Sequence, residues 1–238
     1  LDAVLKVIYL IFNEGYDASF GEDLIRGDLC QEAIRLARVL NTLLLRDPQL
    51  EESPEALGLL ALMLLHDSRR ESRVNEAGEM VLLEEQDRSA WNDTQIREGT
   101  AVVEKALRMG RPGPYQIQAA ISAVHAEAKT ASETDWEQIV GLYHELQKYD
   151  SSPIIKLNHG VALAMLKGPV YGLSYLDNLT EQDYLKNYYL FHAARADLLR
   201  RAGFNEEALD AYAIAHEQCQ NDVEKQFLKS RMQQLAIE

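Results

Sequence analysis

From Leu57 to Leu65 the chain reads Leu-Gly-Leu-Leu-Ala-Leu-Met-Leu-Leu, apolar at every position except Gly58. A helix that is apolar all round is buried all round, so other elements must cover it on every side. Its start is marked by Ser53, suited to the N-cap, and by Pro54, suited to the first helical position. The run is too short to cross a membrane, and polar residues follow it at once. It is therefore expected to be the central helix of the first half, with Gly58 allowing a close backbone approach.

The covering pieces read as amphipathic helices. Val4, Ile8 and Phe12 recur every four residues, with Leu1, Leu5 and Ile11 beside them. That helix should stop near Asn13-Glu14-Gly15, with Gly15 in a left-handed C-terminal conformation. Ile25, Leu29, Ala33, Leu36, Leu40 and Leu44 line a long second helix, which Asp47-Pro48 ends. Asn75 to Gly78 reads as a turn. Asn92 or Asp93 caps a helix that runs to Met109 and stops at Gly110. Arg111-Pro112-Gly113-Pro114 is the clearest break, dividing the chain into residues 1–112 and 113–238. Pro114 then starts a helix through about Glu127, with Ile117, Ile121 and Val124 inward.

Polar clusters interrupt this pattern. The turn after the first helix holds Asn13, Glu14, Tyr16, Phe20 and Arg26; its aromatics read as core anchors of a stapled turn. The central helix ends in His66-Asp67-Ser68-Arg69-Arg70, with Arg73 following. These cations either complement the helix C-terminal dipole or bind an acidic group. Glu84 to Trp91 is a dense polar loop. Asp87 and Arg88 should bond its own backbone, or pair with Arg70 and Glu14. Tyr115, Gln118 and His125 lie close to the inward face of the next helix, where a lone histidine reads as a satisfied core residue. The candidate site comprises Asn13, Glu14, Tyr16, Arg26, Arg70, Asp87, Arg88, Trp91, Tyr115, Gln118 and His125. It is either the pocket of a small-ligand sensor or enzyme remnant, between the two halves, or a structural network that locks loops together.

The second half carries a repeat of about 34 residues, two helices each, the period of tetratricopeptide (TPR) units. Its best copy runs from Tyr189 to Asp222. There Ala196, Gly203, Ala208, Tyr212 and Ala215 supply small, turn, small, aromatic and small positions, and Asn205 should cap the second helix. Trp136, Ile139, Tyr143 and Leu146 fit an earlier second helix. Ser152-Pro153 opens a middle copy containing Ala162, Gly168-Pro169, Gly172 and Leu176. Asn221 caps a last helix, whose Phe227, Leu228, Met232 and Leu235 turn inward and whose Gln226, Lys229 and Gln233 face water. The fold class is thus all-α: a helical bundle followed by a TPR-like α-α superhelix.

Composition narrows the function. With 24 Lys+Arg against 38 Asp+Glu, the formal charge is −14, which argues against gripping a phosphate backbone. It suits a partner with basic patches, or simply solubility. Cys30 and Cys219 read as buried free thiols of a reducing cytoplasm. No HExxH, CxxC, GxSxG or GxxxxGK motif occurs. Glu84-Glu85 and Glu206-Glu207 are adjacent, point different ways on a helix and cannot form an acid–base pair. No catalytic residue, metal site or cofactor is expected, and no membrane span.

Six blocks in order carry a resemblance: IYLIFNEGY, DLCQEAIRLARVL, LGLLALMLLHDSRR, VLLEEQDRSAW, GPYQIQAAISAVHAE and YYLFHAARADLLRR. From Ile8 to about Arg201 the chain resembles the C-terminal, TPR-containing extension of extracytoplasmic-function (ECF) sigma factors of bacterial RNA polymerase. Departures fall at Asn75-Glu76-Ala77 and Thr180 to Asn187, which read as variable loops. The resemblance implies a transcription-regulating, cytoplasmic, non-enzymatic module that docks on sigma regions 2 and 4 or on core polymerase. Promoter DNA would be touched only by those regions, which are absent from this chain. The first residue is Leu1, so the chain reads as an excised domain. In this family the genes tend to accompany small DGPF-type proteins, a further candidate partner.

Overall fold

The computed structural model describes residues 1–47, 51–179 and 183–237, and its regular elements there are helices. Contacts divide the chain into two compact units, Leu1–Ser19 with Asp23–Asp135, and Phe20–Glu22 with Trp136–Glu238.

The first unit holds α1 (Asp2–Tyr16), α2 (Gly27–Arg46), α3 (Pro54–Asp67), α4 (Asp93–Arg108) and α5 (Pro114–Glu127). As its composition requires, α3 is covered on opposite sides. Ala56, Leu59, Leu60, Met63 and Leu64 pack with Leu5, Ile8 and Phe12 of α1 and Ala33, Ile34, Ala37 and Leu44 of α2. Ala61, Leu62 and Leu65 pack with Val103 of α4 and with Ala119 and Ala123 of α5. Each fully buried leucine contributes about 1.5–3 kcal/mol. Ser53 Oγ accepts the Ala56 N–H at 3.2 Å, the expected cap.

Gly58 and Glu55 fasten α5 to α3. A Cβ on Gly58 would lie 2.7 Å from the Gln116 backbone nitrogen, so only glycine permits this crossing. The Glu55 carboxylate accepts the N–H groups of Tyr115 at 3.0 Å and Gln116 at 3.1 Å, placing an anion at the positive end of α5. These ties are why the compact units divide after Asp135, past the Arg111–Pro114 break.

Three local expectations need correction. First, α1 continues through Tyr16, and Gly15 is helical rather than left-handed. A Cβ at Gly15 would fall 2.7 Å from the Cys30 nitrogen, and the Gly15 carbonyl accepts Arg26 N–H at 2.7 Å. Close approach, not helix termination, is what this glycine permits. Second, the buried stripe of α1 is Leu5, Ile8, Phe12 and Tyr16, while Leu1 and Val4 are exposed. Third, α2 buries Cys30, Ala33, Ile34, Ala37, Asn41 and Leu44, and leaves Leu36 and Leu40 at the margin. Its small residues let the backbones approach, so the packed face is rotated from the leucine row. Asn41 is satisfied there by the Ala37 and Ala56 carbonyls, at 2.9 and 3.1 Å. The helix ends at Arg46; Pro48 lies outside the described residues.

Beyond the loop, Asn92 caps α4 by accepting Gln95 N–H at 3.1 Å, and Gly110 takes φ +69° after the helix. Asn75 Oδ1 accepts the N–H groups of Ala77 and Glu79, each at 2.9 Å, which makes the expected turn.

The second unit contains α6 (Trp136–Leu146), α7 (Pro153–Lys167), α8 (Pro169–Asp177), the short α9 (Asp183–Lys186), α10 (Tyr189–Arg201), α11 (Asn205–Gln218) and α12 (Asp222–Leu235). The expected small and aromatic positions Ala196, Ala208, Tyr212 and Ala215 are all buried, and Gly203 turns at φ +84°. A Cβ on Gly172 would lie 2.3 Å from Ala164 Cβ, so α7 and α8 cross at glycine. Asn205 is the first helical residue rather than the cap, which is Phe204. Asn221 caps α12 by accepting the N–H groups of Val223 and Glu224 at 3.0 and 3.3 Å. The loop expected over Thr180 to Asn187 contains α9, and Thr180 lies outside the described residues. Cys30 and Cys219 are buried free thiols, pushed up by burial to about 12 and about 11. Among the described residues no helix is long and apolar enough to cross a membrane, and no cluster of ligands could hold a metal.

Candidate functional site

Of the eleven candidate residues, the structure gathers Tyr16, Arg88, Trp91 and His125, and adds His66, Arg69 and Arg73. All seven belong to the first compact unit, although His125 lies past the Arg111–Pro114 break. Tyr16 closes α1 and stacks on Phe12 with centroids 5.6 Å apart. Its ring is 5.1 Å from His66, at the end of α3. Arg73 Cζ sits 4.0 Å from the Tyr16 centroid and Arg69 Cζ 5.5 Å from it, two cations on one aromatic ring.

The polar loop supplies the other side. Asp87 does order its own backbone, accepting Ser89 N–H at 2.9 Å and Ser89 Oγ–H at 2.6 Å. Arg88 does something else. It donates to the carbonyls of His125 at 2.6 Å and Ala128 at 2.9 Å, and to Thr134 Oγ1 at 3.0 Å, fixing the C-terminal end of α5. Its guanidinium lies 5.1 Å over the Trp91 ring. The pairings of Asp87 or Arg88 with Arg70 and Glu14 are not formed. Arg70 instead holds Asp67 at 3.2 Å, and lines a separate open cleft of about 450 Å³ with Ile25, Gly27, Asp28 and Gln31.

Both histidines of the cluster are held neutral. Burial, then the Arg69 and Arg73 charges, push His66 down to about 3. Burial, then Arg69 and Arg88, push His125 down to about 4. His66 Nε2 lies 3.0 Å from Ser122 Oγ, whose own hydrogen goes to the Gln118 carbonyl at 3.1 Å. Arg69 is likewise pushed below the usual arginine range by burial, against the opposing pull of Tyr16 and Asp17 and with a further push from Arg73.

The remaining candidates stand apart. Glu14 accepts from Ser19 at 2.9 Å and faces Arg26 at 3.6 Å, at the outer edge of the turn. Phe20 is exposed, so Tyr16 alone of the two turn aromatics is an anchor, with Ala18 and Leu24 buried beside it. Asn13 hydrogen-bonds Tyr9, whose hydroxyl burial raises. Tyr115 packs edge-on against Tyr9 at 5.4 Å, and burial pushes its hydroxyl up to about 12. Gln118 donates within its own helix to the Pro114 carbonyl at 3.2 Å. Glu55 was not among the candidates, because nothing in Ser-Pro-Glu marks a carboxylate that caps a different helix. His66 and Arg69 stood outside the candidate site, in a basic cluster read either as complementing the helix end or as binding an acidic group.

The geometry can be set beside known proteins. Residues 1–107 match DUF6596, a family of unknown function. The DUF6596 match spans Tyr16, His66, Arg69, Arg73, Arg88 and Trp91, but stops short of His125. An uncharacterized protein, R00370, of Rhizobium meliloti (strain 1021) is 42% identical over 238 residues, 100% of this chain. The chain spans 54% of that relative's length. In structure the chain is similar to a thermophilic TPR protein from Thermus thermophilus, with a TM-score of 0.60 and 18% identity. That likeness covers 100% of this chain and 99% of the other, and it establishes a TPR-like fold.

Proposed function

We propose that this chain is a helical interaction module, the regulatory C-terminal region of an ECF-type sigma factor. In this reading it docks on sigma regions 2 and 4 of the same protein or on core RNA polymerase in the cytoplasm, and performs no catalysis. The observation that carries the docking is an apolar row left in water on the outer face of α1. Val4, Val7 and Leu10 are 48, 56 and 66% exposed, with Leu43 of α2 also exposed. A row of large apolar side chains at helical spacing is characteristic of a surface that another chain covers. The TPR-like fold and the −14 charge support the reading, since stacked helical pairs offer extended binding surfaces and an acidic surface suits basic DNA-binding regions. The relative of greater length leaves room for such regions in that protein. Promoter choice then belongs to those regions, and a DGPF-type small protein is a further partner to look for.

The test is affinity capture with the 238-residue chain, native and carrying Val7→Glu with Leu10→Glu. The native chain should recover sigma regions or polymerase subunits, and the variant should lose them while keeping its helical content. Recovery of neither by the native chain, or equal recovery by both, contradicts the docking.

A further inference from the structure

In the cluster around Tyr16 and Trp91, hydrogen-bond donors outnumber acceptors. Arg73 is answered by the Asp17 carboxylate at 2.9 Å and by the Tyr16 carbonyl. The acceptors of Arg88 are uncharged; Glu133 acts on it only at a distance. Its Nε is buried and meets no acceptor, as are the Trp91 Nε1 and the Tyr16 hydroxyl. These two aromatic side chains belong to residues 6% and 8% exposed. Arg69 goes furthest. Among the described residues its guanidinium has no hydrogen-bond or ion-pair partner, and its contact is the Tyr16 ring. The Arg69 charge acts on Tyr16, His66, Arg88 and His125, and the Asp17 carboxylate, held by Arg73, acts on Arg69 only at a distance.

Such an arrangement costs stability. Each buried donor without a partner is destabilising, and an unpaired cation out of water is more so. In a chain of charge −14, two guanidiniums that act on one another and have no paired carboxylate run against the prevailing sign. What would satisfy them together is a negatively charged acceptor with several lone pairs.

We propose that Arg69, with Arg88 Nε, Trp91 Nε1 and the Tyr16 hydroxyl, binds an oxyanion, the phosphate or carboxylate group of a small molecule. The Tyr16 ring, 5.5 Å from the Arg69 guanidinium and 5.1 Å from the His66 ring, borders the site. The site lies within the first unit and stands independently of the docking surface on α1.

Isothermal titration calorimetry of the whole chain with inorganic phosphate, and separately with succinate, tests this with ionic strength balanced by chloride. Saturable binding of phosphate alone identifies a phosphate ester as ligand, and of succinate alone a carboxylate; either outcome supports the site. Arg69→Gln should weaken that binding about 10- to 100-fold. Trp91→Phe, which keeps the ring and removes the N–H, should weaken it about 2- to 10-fold. Arg97→Gln, at an exposed pair on α4, should leave it unchanged. No saturable binding of either anion overturns the proposal, as does native affinity in Arg69→Gln. Should that variant fail to fold, unchanged affinity in Trp91→Phe overturns it.

Discussion

His66 and His125 show how single residues tie the site to solution conditions. Both are pushed down by burial first and by neighbouring guanidiniums second, to about 3 and about 4. In the unfolded chain each titrates near its ordinary value of about 6.5. Above that pH both states are neutral and the histidines do not affect stability. As pH falls from about 6.5 toward the folded values, the unfolded chain binds protons that the folded chain refuses, so stability falls. His66→Gln, which keeps a hydrogen-bonding group for Ser122, should make the decline between about pH 6.5 and 4 shallower by up to about 1.4 kcal/mol per pH unit. Urea unfolding across that range measures it, and an unaltered slope would show that His66 protonates freely in the fold. At this scale the sequence was partly readable. Tyr16 stood out as an aromatic in a polar turn, and Arg88 and Trp91 as members of a dense polar loop. Arg69 did not, because a cation after a helix has an ordinary electrostatic explanation. Only the lack of a partner among the described residues, a tertiary fact, separates it from Arg70 and Arg73.

Among the elements, glycine decides where helices cross and where they merely continue. Gly58 of α3 faces the Gln116 backbone, and Gly141 of α6 has nothing within 4 Å of a would-be Cβ. Gly58→Ala should therefore destabilise by about 1–3 kcal/mol, since the clashing atom is backbone and cannot swing away. Gly141→Ala should stabilise by roughly 0.5–1 kcal/mol through helix propensity. Opposite shifts in thermal midpoint are expected, and shifts of the same sign would refute the packing of α3 on α5. The close approach at Gly58 was legible from an apolar run interrupted by one glycine. The one at Gly15 was not, because a glycine beside Asn and Glu at the end of an apolar row reads equally well as a C-cap. The rotation of α2 toward its alanines was hidden for a related reason. Leucines dominate a hydrophobic count, whereas close helix packing selects small side chains.

For the whole molecule, periodicity was enough to give an all-α chain, and the alternation of small and aromatic residues from Tyr189 to Asp222 was enough to give TPR-like pairs. The boundary between compact units was harder to read. Arg111-Pro112-Gly113-Pro114 is a chain break in the local sense, but Glu55 and Gly58 reach across it and hold α5 in the first unit. The central proposal is that this acidic helical chain acts as the regulatory region of a longer, sigma-type protein. The direct measurement is transcription from a cognate promoter by core RNA polymerase, with the full-length protein and with a version truncated before Leu1. The account predicts that removing the module changes transcript output several-fold at equal protein concentration. Equal output from both forms would contradict it.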